Sequence, residues 1–284
     1  MSLKRIAQET LTITQDGAFT APSGKVVHFA PAQRRAEDAT VLYRPDELPG
    51  LLAAQPPDGG GFPTVEVTDE TTQAAAHRLV VWEGCRDLVL LNFASARNPG
   101  GGFLNGAKAQ EEDLARCSGL YLCQLKQPDY YAANRAEPSL LYTDHIIYSP
   151  RVPWFRIDHR SLLEDYFPAS VITAPAPNAG QVLGRDPTAQ PEIGRTLRRR
   201  AGYVLAVARD NGHRTLLLGA WGCGVFRNDP AVVADAFGQW LQSPTFRGCF
   251  HRVVFGVYDS SPGQGTLKAF QKPWQPPTPP QNGA

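Results

Sequence analysis

A segment between positions 91 and 113 combines residue types that could bind an anionic ligand and transfer protons beside it. Three consecutive glycines at 100–102 follow an apolar run and a polar turn, and a helix is predicted to begin near Gln110. Because glycine adopts backbone conformations closed to other residues, such a loop can bring its N–H groups against phosphate oxygens. Glu111 and Glu112 then add carboxyl groups suited to acid–base chemistry. Taken alone, these features also fit a flexible loop and acids that complement a helix dipole.

Common nucleotide-binding motifs do not explain these glycines. A Walker A loop needs a lysine directly after its last glycine, whereas Gly106 is followed by Ala107 and only then by Lys108. The glycines at 222 and 224 also fail as a Rossmann fingerprint, because no third glycine follows at the required spacing. The sequence therefore disfavours P-loop and dinucleotide-binding enzymes.

Metal-dependent and covalent chemistry are poorly supported as well. The 5 cysteines and 6 histidines are scattered, without a CxxC pair or an HExxH spacing, so no metal site and no cofactor are expected. The cysteines lie in or beside apolar segments, which indicates reduced structural thiols. An esterase-like site using Cys223 or a serine with a histidine would lack the Gly-x-Ser-x-Gly turn that exposes such a nucleophile.

Short strands alternating with helices must position these residues. Continuous apolar runs indicate strands that are buried on both faces of a sheet. The alternation predicts a mixed or mostly parallel α/β sheet, whose ligands bind where loops leave the carboxyl ends of strands. The predicted strands are 88–93, 146–148, 171–174, 215–218 and 253–257.

Two helices follow from the spacing of apolar residues. Leu114, Cys117, Tyr121 and Leu125 fall at i, i+3, i+7 and i+11, so a helical segment is predicted to pack on the sheet through that face. A second apolar face runs from 193 to 208 and places the arginine triplet at 198–200 largely on the solvent side. We interpret that triplet as a solvated face rather than a nucleic-acid patch.

Composition divides the chain into three parts. Residues 1–64 are predicted to form an accessory segment packed on a main domain at 65–272, and the proline-rich tail at 273–284 is expected to be disordered. Lys and Arg number 28 and Asp and Glu number 27, so no global basic field favours direct DNA binding. The polar start of the chain and the lack of a long apolar run predict a cytoplasmic protein without membrane contact.

Three stretches resemble a known family. The triple glycine, seven further residues and then Gln110-Glu111-Glu112 resemble the signature of poly(ADP-ribose) glycohydrolases, specifically their compact bacterial-type members. Residues 219–229 (GAWGCGVFRND) look like that family's diphosphate-binding loop, and residues 172–180 (ITAPAPNAG) are similar to a further part of its pattern. The order of elements is similar over about residues 1–270, with motif-grade agreement only in these stretches.

The resemblance implies a fold and a set of partners. We expect a macrodomain-like α/β fold, in which helices flank a mixed sheet and the main domain binds ADP-ribose and carries the catalytic site. Poly(ADP-ribose) and ADP-ribose are the expected partners, and ADP-ribosylated proteins carry the substrate. Backbone N–H groups in the glycine loops would bind the diphosphate, which reconciles an anionic ligand with a nearly neutral chain.

The resemblance also assigns substrate contacts position by position. The two glycine loops would flank the diphosphate and the distal ribose. Phe226 would press on the terminal ribose, with a buried core aromatic as the alternative, and Asn98 and Gln110 would hold ribose or fix the loop. The expected contact residues are Asn98, Gly100, Gly101, Gly102, Gln110, Gly222, Cys223, Gly224, Val225 and Phe226.

The implied reaction is hydrolysis of the ribose–ribose O-glycosidic bond. Glu112 would protonate the leaving 2′ oxygen and then, as a carboxylate, activate water, while Glu111 would hold ribose hydroxyls and orient the site. The alternative is a module that binds ADP-ribose without cleaving it, because fold alone does not fix function. The Gln-Glu-Glu run distinguishes the two, since a pure binder has no evident need for it. Loop lengths leave open whether cleavage starts at chain ends.

Overall fold

One sheet is covered by apolar layers on both of its faces. The structure, a computed structural model, describes residues 2–56 and 59–275. On the central strand, Val89 and Leu91 pack with one group of helices, whereas Leu90 packs with the other. Burial on both faces explains why this strand is apolar at consecutive positions. The strands within the described residues are β1 Ala18–Thr20, β2 Val26–His28, β3 Val41–Tyr43, β4 Thr64–Thr68, β5 Leu88–Phe93, β6 Ile146–Trp154, β7 Phe167–Ala174, β8 Thr215–Gly219 and β9 Arg252–Gly256.

The main sheet is mixed, as the sequence predicts. Among the described residues its order is β3-β6-β7-β5-β8-β9-β4. Strands β7, β5, β8, β9 and β4 pair in parallel, whereas β6 and β3 pair antiparallel at one edge. β1 and β2 form a separate hairpin. Because β7, β5 and β8 are parallel neighbours, the loops that follow them leave one edge of the sheet together and can share a ligand.

Helices lie on both faces of this sheet. α9 and α10 pack on one face, and α4, α5 and α6 pack on the other. No helix within the described ranges is long and apolar enough to cross a membrane. Of the tail at 273–284, residues 276–284 lie outside the described residues. The helices are α1 Leu3–Asp16, α2 Ala30–Asp38, α3 Leu48–Ala53, α4 Thr72–His77, α5 Gln110–Cys117, α6 Leu120–Leu125, α7 Pro128–Ala136, α8 Ala179–Arg185, α9 Gln190–Asp210, α10 Pro230–Leu241 and α11 Gly265–Gln271, with a π-helical turn at Arg78–Trp82 and 3₁₀ turns at Phe103–Asn105, Pro244–Phe246 and Lys272–Trp274.

The apolar spacing from 114 to 125 belongs to two helices rather than to one helical segment. Ser118 is extended, pairs with Trp154 in an isolated bridge, and donates its hydroxyl to Leu114 O at 2.8 Å. At Gly119 an added Cβ would lie 1.8 Å from Gln33 Oε1, so α2 packs where a side chain would otherwise stand. The break gives α6 its own direction, and the predicted single apolar face was wrong beyond 117.

The first part of the chain joins both the sheet and the helix that follows the glycines. β3 extends the sheet at its antiparallel edge. α1 packs through Ala7 against Ala115 of α5 and against Phe103. Thr10 on α1 donates its hydroxyl to Arg116 O at 2.8 Å. These contacts hold the acidic helix α5 against the first helix of the chain.

The arginine triplet at 198–200 is only partly solvated, which corrects the sequence-based expectation. The side chain of Arg198 is 56% exposed and that of Arg199 is 44% exposed, but that of Arg200 is fully buried. Arg200 donates to Asp144 Oδ1 at 3.0 Å and to Pro175 O at 2.6 Å. It is buried because it ties α9 to the loop that follows β7, a tertiary contact that helical periodicity does not reveal.

Arg200→Leu should therefore destabilise the protein far more than Arg198→Leu. Removing Arg200 leaves buried carbonyl groups and Asp144 without their partner, at a cost of about 3 kcal/mol in the free energy of unfolding. Removing Arg198 breaks one exposed ion pair, worth less than ~1 kcal/mol. Urea unfolding of both variants measures the difference. Equal losses would contradict the structural role of Arg200.

Candidate active site

Three loops meet at the carboxyl ends of β7, β5 and β8. Phe93 at the end of β5 pairs with Ala174 at the end of β7, and Ala94 N–H donates to Ala174 O at 3.2 Å. At Gly219, which ends β8, an added Cβ would lie 2.9 Å from the Phe93 ring. The structure thus brings the three motif-bearing stretches of the sequence to one edge of the sheet.

The triple-glycine loop packs its backbone directly against the acidic helix. Gly100 and Gly101 have positive φ angles of 62° and 58°. A Cβ at Gly101 would lie 2.4 Å from Glu112 Oε1, so only glycine allows this approach. The N–H of Gly102 donates to the same oxygen at 2.9 Å. As predicted, α5 begins at Gln110, and Glu111 and Glu112 in its first turn accept hydrogen bonds from the loop backbone.

Glu111 is buried and accepts hydrogen bonds at both carboxyl oxygens. Only 2% of the residue is exposed. Oε1 accepts from Asn92 Nδ2 at 3.0 Å and Gln124 Nε2 at 2.8 Å, and Oε2 accepts from Ser95 N at 2.6 Å. Burial raises the pKa of Glu111 to about 7, against the three hydrogen bonds, which favour the ionised form. A carboxyl group that titrates near neutrality therefore lies beside the glycine loop.

Glu112 occupies a different environment one residue along the same helix. It is partly exposed, and its Oε1 accepts the N–H of Gly102. Adjacent residues on a helix point about 100° apart, so one carboxylate can face the core while the next faces the loop. Of the pair, Glu112 is the carboxylate that a ligand on the loop can reach.

Gln110 and Asn98 contribute differently to the loop. Gln110 Oε1 accepts from Phe93 N at 2.9 Å, and its Nε2 donates to Leu91 O at 2.9 Å and Thr72 Oγ1 at 3.1 Å. These contacts pin the start of α5 to the end of β5. Asn98 is exposed at the rim, and its backbone carbonyl oxygen accepts the N–H of Gly101 at 3.0 Å. The geometry favours loop fixation for Gln110 and leaves the Asn98 side chain open to a ligand.

The second glycine loop has a packed base and an open tip. At Gly222, with φ of 71°, an added Cβ would lie 2.5 Å from Ala176 Cβ, so the base of the loop abuts the loop after β7. An added Cβ at Gly224 would meet no atom within 4 Å, and Val225 is 74% exposed. Phe226 is half-buried, with its ring 6.0 Å from a neighbouring tyrosine ring. The tip is therefore free to contact a ligand, and Phe226 stands between tip and core.

The structure argues against a thiol nucleophile in this loop. Cys223 is half-buried, and burial raises the pKa of its thiol to about 12, so the reactive thiolate is scarce at neutral pH. All five cysteines are free thiols. Within residues 2–56 and 59–275, no three His, Cys, Asp or Glu side chains are grouped to hold a metal ion.

Three partners of Glu111 were not found by sequence reasoning. Asn92 is a polar residue inside the apolar run of β5, and that exception was a signal that could have identified it. Gln124 lies on α6, whose direction was hidden by the break after α5. Ser95 acts through its backbone N–H, which residue type does not reveal.

Comparisons with known proteins converge on one family. The family described as microbial-type PARG, catalytic domain, matches residues 7–157. Poly(ADP-ribose) glycohydrolase (PARG) from Thermomonospora curvata is 49% identical with a TM-score of 0.90, and the match covers 95% of this chain and 98% of that one. The same enzyme bound to the inhibitor ADP-HPD is 49% identical, with a TM-score of 0.87 over 95% and 98% of the two chains. The Deinococcus radiodurans enzyme in complex with ADP-ribose is 49% identical, with a TM-score of 0.80 over 86% of this chain and 98% of that one. No curated protein matches the chain.

Glu111→Gln should flatten the dependence of protein stability on pH. The pKa of Glu111 in the folded state, about 7, lies above its ordinary value of 4.5. Its contribution to stability is therefore fully present below pH 4.5 and is lost as the pH rises through 7, by up to ~3 kcal/mol. Urea unfolding of wild type and variant at about pH 4.5 and about pH 8 measures this loss.

A matched control removes a carboxylate from the same helical turn. Asp113 has a side chain that is 42% exposed. Asp113→Asn should keep the loss of stability assigned to Glu111, because it leaves that buried carboxyl group and its three hydrogen bonds in place. Identical pH dependence in wild type and Glu111→Gln would show that burial of Glu111 has no energetic consequence.

Proposed function

The chain belongs to the microbial-type poly(ADP-ribose) glycohydrolase family, and from this premise we propose that it hydrolyses the ribose–ribose O-glycosidic bonds of poly(ADP-ribose) and releases ADP-ribose. One observation carries the proposal: the triple-glycine backbone packs against Glu112, at 2.9 Å from Gly102 N to Glu112 Oε1. A binding loop and a candidate acid are thereby held in contact. Bound ADP-ribose and ADP-HPD in the related enzymes support the same substrate class.

The two glycine loops provide the binding surface for the diphosphate and the distal ribose. Their backbone N–H groups can surround phosphate oxygens without a cluster of basic side chains. The open tip at Gly224 and Val225 faces outward, and Phe226 beside it would press on the terminal ribose. Asn98 at the rim of the first loop would contact a ribose hydroxyl.

Glu112 supplies the proton transfers in this proposal. Its carboxylic acid donates a proton to the leaving 2′ oxygen as the bond from that oxygen to the anomeric carbon breaks. The electron pair of the bond leaves with the oxygen, and an oxocarbenium-like ribose forms. Water then attacks the anomeric carbon while the Glu112 carboxylate accepts its proton, which restores the acid. One carboxyl group thus serves both half-reactions.

Glu111 orients the site. Both of its oxygens are occupied by N–H donors, which favours the orienting part of its expected role over prolonged contact with ribose hydroxyls. Its Oε2 holds the N–H of Ser95, at the start of the glycine loop, and so fixes that loop relative to α5. Because Glu111 fixes the loop against α5, the next residue, Glu112, stays within reach of Gly102.

The biological setting follows from the substrate class. We propose that ADP-ribosylated proteins carry the polymer to this enzyme and that the reaction takes place in the cytoplasm. Five free thiols support a reducing compartment. The nearly equal numbers of basic and acidic residues, 28 and 27, support recognition of the polymer through local geometry rather than through a general positive field.

Glu112→Gln should slow cleavage severely while preserving ligand binding. The amide oxygen can still accept the N–H of Gly102, so the loop keeps its shape, but the amide cannot donate a proton as an acid. Polymer cleavage should fall by ~10²–10⁴-fold. Calorimetric binding of ADP-ribose to the same sample should stay within a few-fold of wild type.

Asp113→Asn is the matched control for this test. It removes one negative charge from the same first turn of α5, together with the ion pair between Asp113 and Arg116, and leaves Glu112 in place. Cleavage by this variant should remain close to the wild-type rate. If Glu112→Gln instead cleaves the polymer at the wild-type rate, Glu112 is not the catalytic acid.

Phe226→Ala should slow turnover more than it weakens ADP-ribose binding. The proposed ring contact places the distal ribose, and a displacement near 1 Å can lower the rate on the order of a hundredfold. The kcat for polymer cleavage and the Kd for ADP-ribose give the two quantities. Phe62→Ala, which removes another partly exposed aromatic ring away from this edge, serves as the control. Unchanged kinetics in a folded Phe226→Ala protein would assign the ring to packing alone.

A further inference from the structure

A buried amide connects the glycine loop to Glu111. Gln124 is fully buried on α6. Its Nε2 donates to Glu111 Oε1 at 2.8 Å, and its Oε1 accepts the N–H of Gly100 at 2.9 Å. One side chain therefore contacts both the first glycine of the loop and the buried carboxylate.

The two contacts require opposite hydrogen-bonding roles from one side chain. The Gly100 N–H can only donate, so it needs an acceptor, whereas an ionised Glu111 can only accept, so it needs a donor. A neutral amide supplies both, with its oxygen toward the loop and its NH₂ group toward the carboxylate. All three groups are buried, so water cannot readily take the place of a lost partner. Losing either hydrogen bond therefore costs free energy.

We propose that Gln124 is a positioning residue that couples the triple-glycine loop to Glu111, so that the loop and the acidic helix hold their catalytic arrangement together. The inference rests on the proposed function for its catalytic consequence. The coupling itself is a property of the three groups and can be measured without substrate.

The charged and titratable surroundings of this connection are few. Glu112 lies beside Glu111 on α5, and Tyr130 and Tyr131 approach from α7. Burial holds the pKa of each tyrosine well above its ordinary value, so both phenols stay neutral over the range tested. Asn92 from β5 and Ser95 from the loop are neutral donors. A change in titration caused by substituting Gln124 therefore reports on Glu111 and its direct partners.

Gln124→Met and Gln124→Glu separate hydrogen bonding from packing. Methionine fills similar space but makes neither hydrogen bond, so kcat should fall about tenfold to a hundredfold at every pH. A protonated glutamic acid can replace the amide, with its O–H toward Glu111 and its carbonyl toward Gly100. Gln124→Glu should therefore stay near the wild-type rate at about pH 5 and lose activity relative to wild type towards about pH 9, as the paired carboxyl groups give up their shared proton.

An infrared titration of the Glu111 carboxyl group tests the coupling without catalysis. Gln124→Met removes one of three hydrogen bonds that favour the ionised form, so the Glu111 pKa should rise by about one unit. The band is identified by its disappearance in Glu111→Gln. An unchanged Glu111 pKa in folded Gln124→Met would overturn the inference even if the rate falls.

Gln33→Met is the control for packing against α6. Gln33 is also a buried amide, and its Nε2 donates to Gly119 O at 3.1 Å beside the start of α6, without a contact to Glu111. It should keep the wild-type rate and the wild-type Glu111 pKa. If it reproduces the effects of Gln124→Met, general disturbance of α6 explains both variants and the inference fails.

The outcomes separate this inference from the proposed function. Absence of polymer cleavage by the wild type would overturn the proposed function, while the infrared titration would still decide the coupling. If the wild type cleaves the polymer and both Gln124 variants cleave it at the wild-type rate at every pH, the proposed function stands and the inference is overturned. A pH-dependent recovery in Gln124→Glu alone supports it.

Discussion

The burial of one carboxyl group, that of Glu111, constrains most of the site. A buried negative charge is tolerated only where donors surround it, and here they come from a strand, a loop backbone and a helix, through Asn92, Ser95 and Gln124. Each donor fixes the element that carries it. The end of β5, the start of the glycine loop and α6 are therefore positioned relative to α5 by the same carboxyl group. The tip of the second glycine loop makes no contact with this group.

The fold meets this constraint through parallel strands and an interrupted helix. Because β7, β5 and β8 are parallel, the three loops that follow them leave the same edge of the sheet. The break at Ser118 and Gly119 turns α6 so that Gln124 reaches back to the glycine loop. A continuous helix would keep residues 110–125 on one axis and carry position 124 about 20 Å away from position 110. The interruption that misled the helical periodicity is thus the feature that closes the site.

Sequence reasoning succeeded where the chemistry is local and failed where it depends on distant partners. The glycine loop, the start of α5 at Gln110 and the five apolar strands β5 to β9 could be predicted, because turn glycines and apolar runs act over a few residues. The short strands β1 to β4 were not predicted. The burial of Arg200 and the role of Gln124 could not, because each is decided by carbonyl or carboxyl groups far along the chain. Asn92 lies between these cases, since a polar residue within an apolar strand marks a buried partner without naming it.

Adjacent carboxylates at 111 and 112 would be a poor geometry for a glycosidase pair if both had to face the substrate. The helix resolves the difficulty by pointing them about 100° apart, so that one is enclosed by N–H donors while the other meets the loop. Their environments then differ although their chemistry is the same: Glu111 accepts three N–H donors in the interior, whereas Glu112 accepts the N–H of Gly102 at the loop. A single carboxyl group that acts first as acid and then as base needs no second catalytic carboxylate across the substrate. In the proposed mechanism that group needs a fixed direction, which the N–H of Gly102 holds while Glu111 ties the start of the same loop to α5.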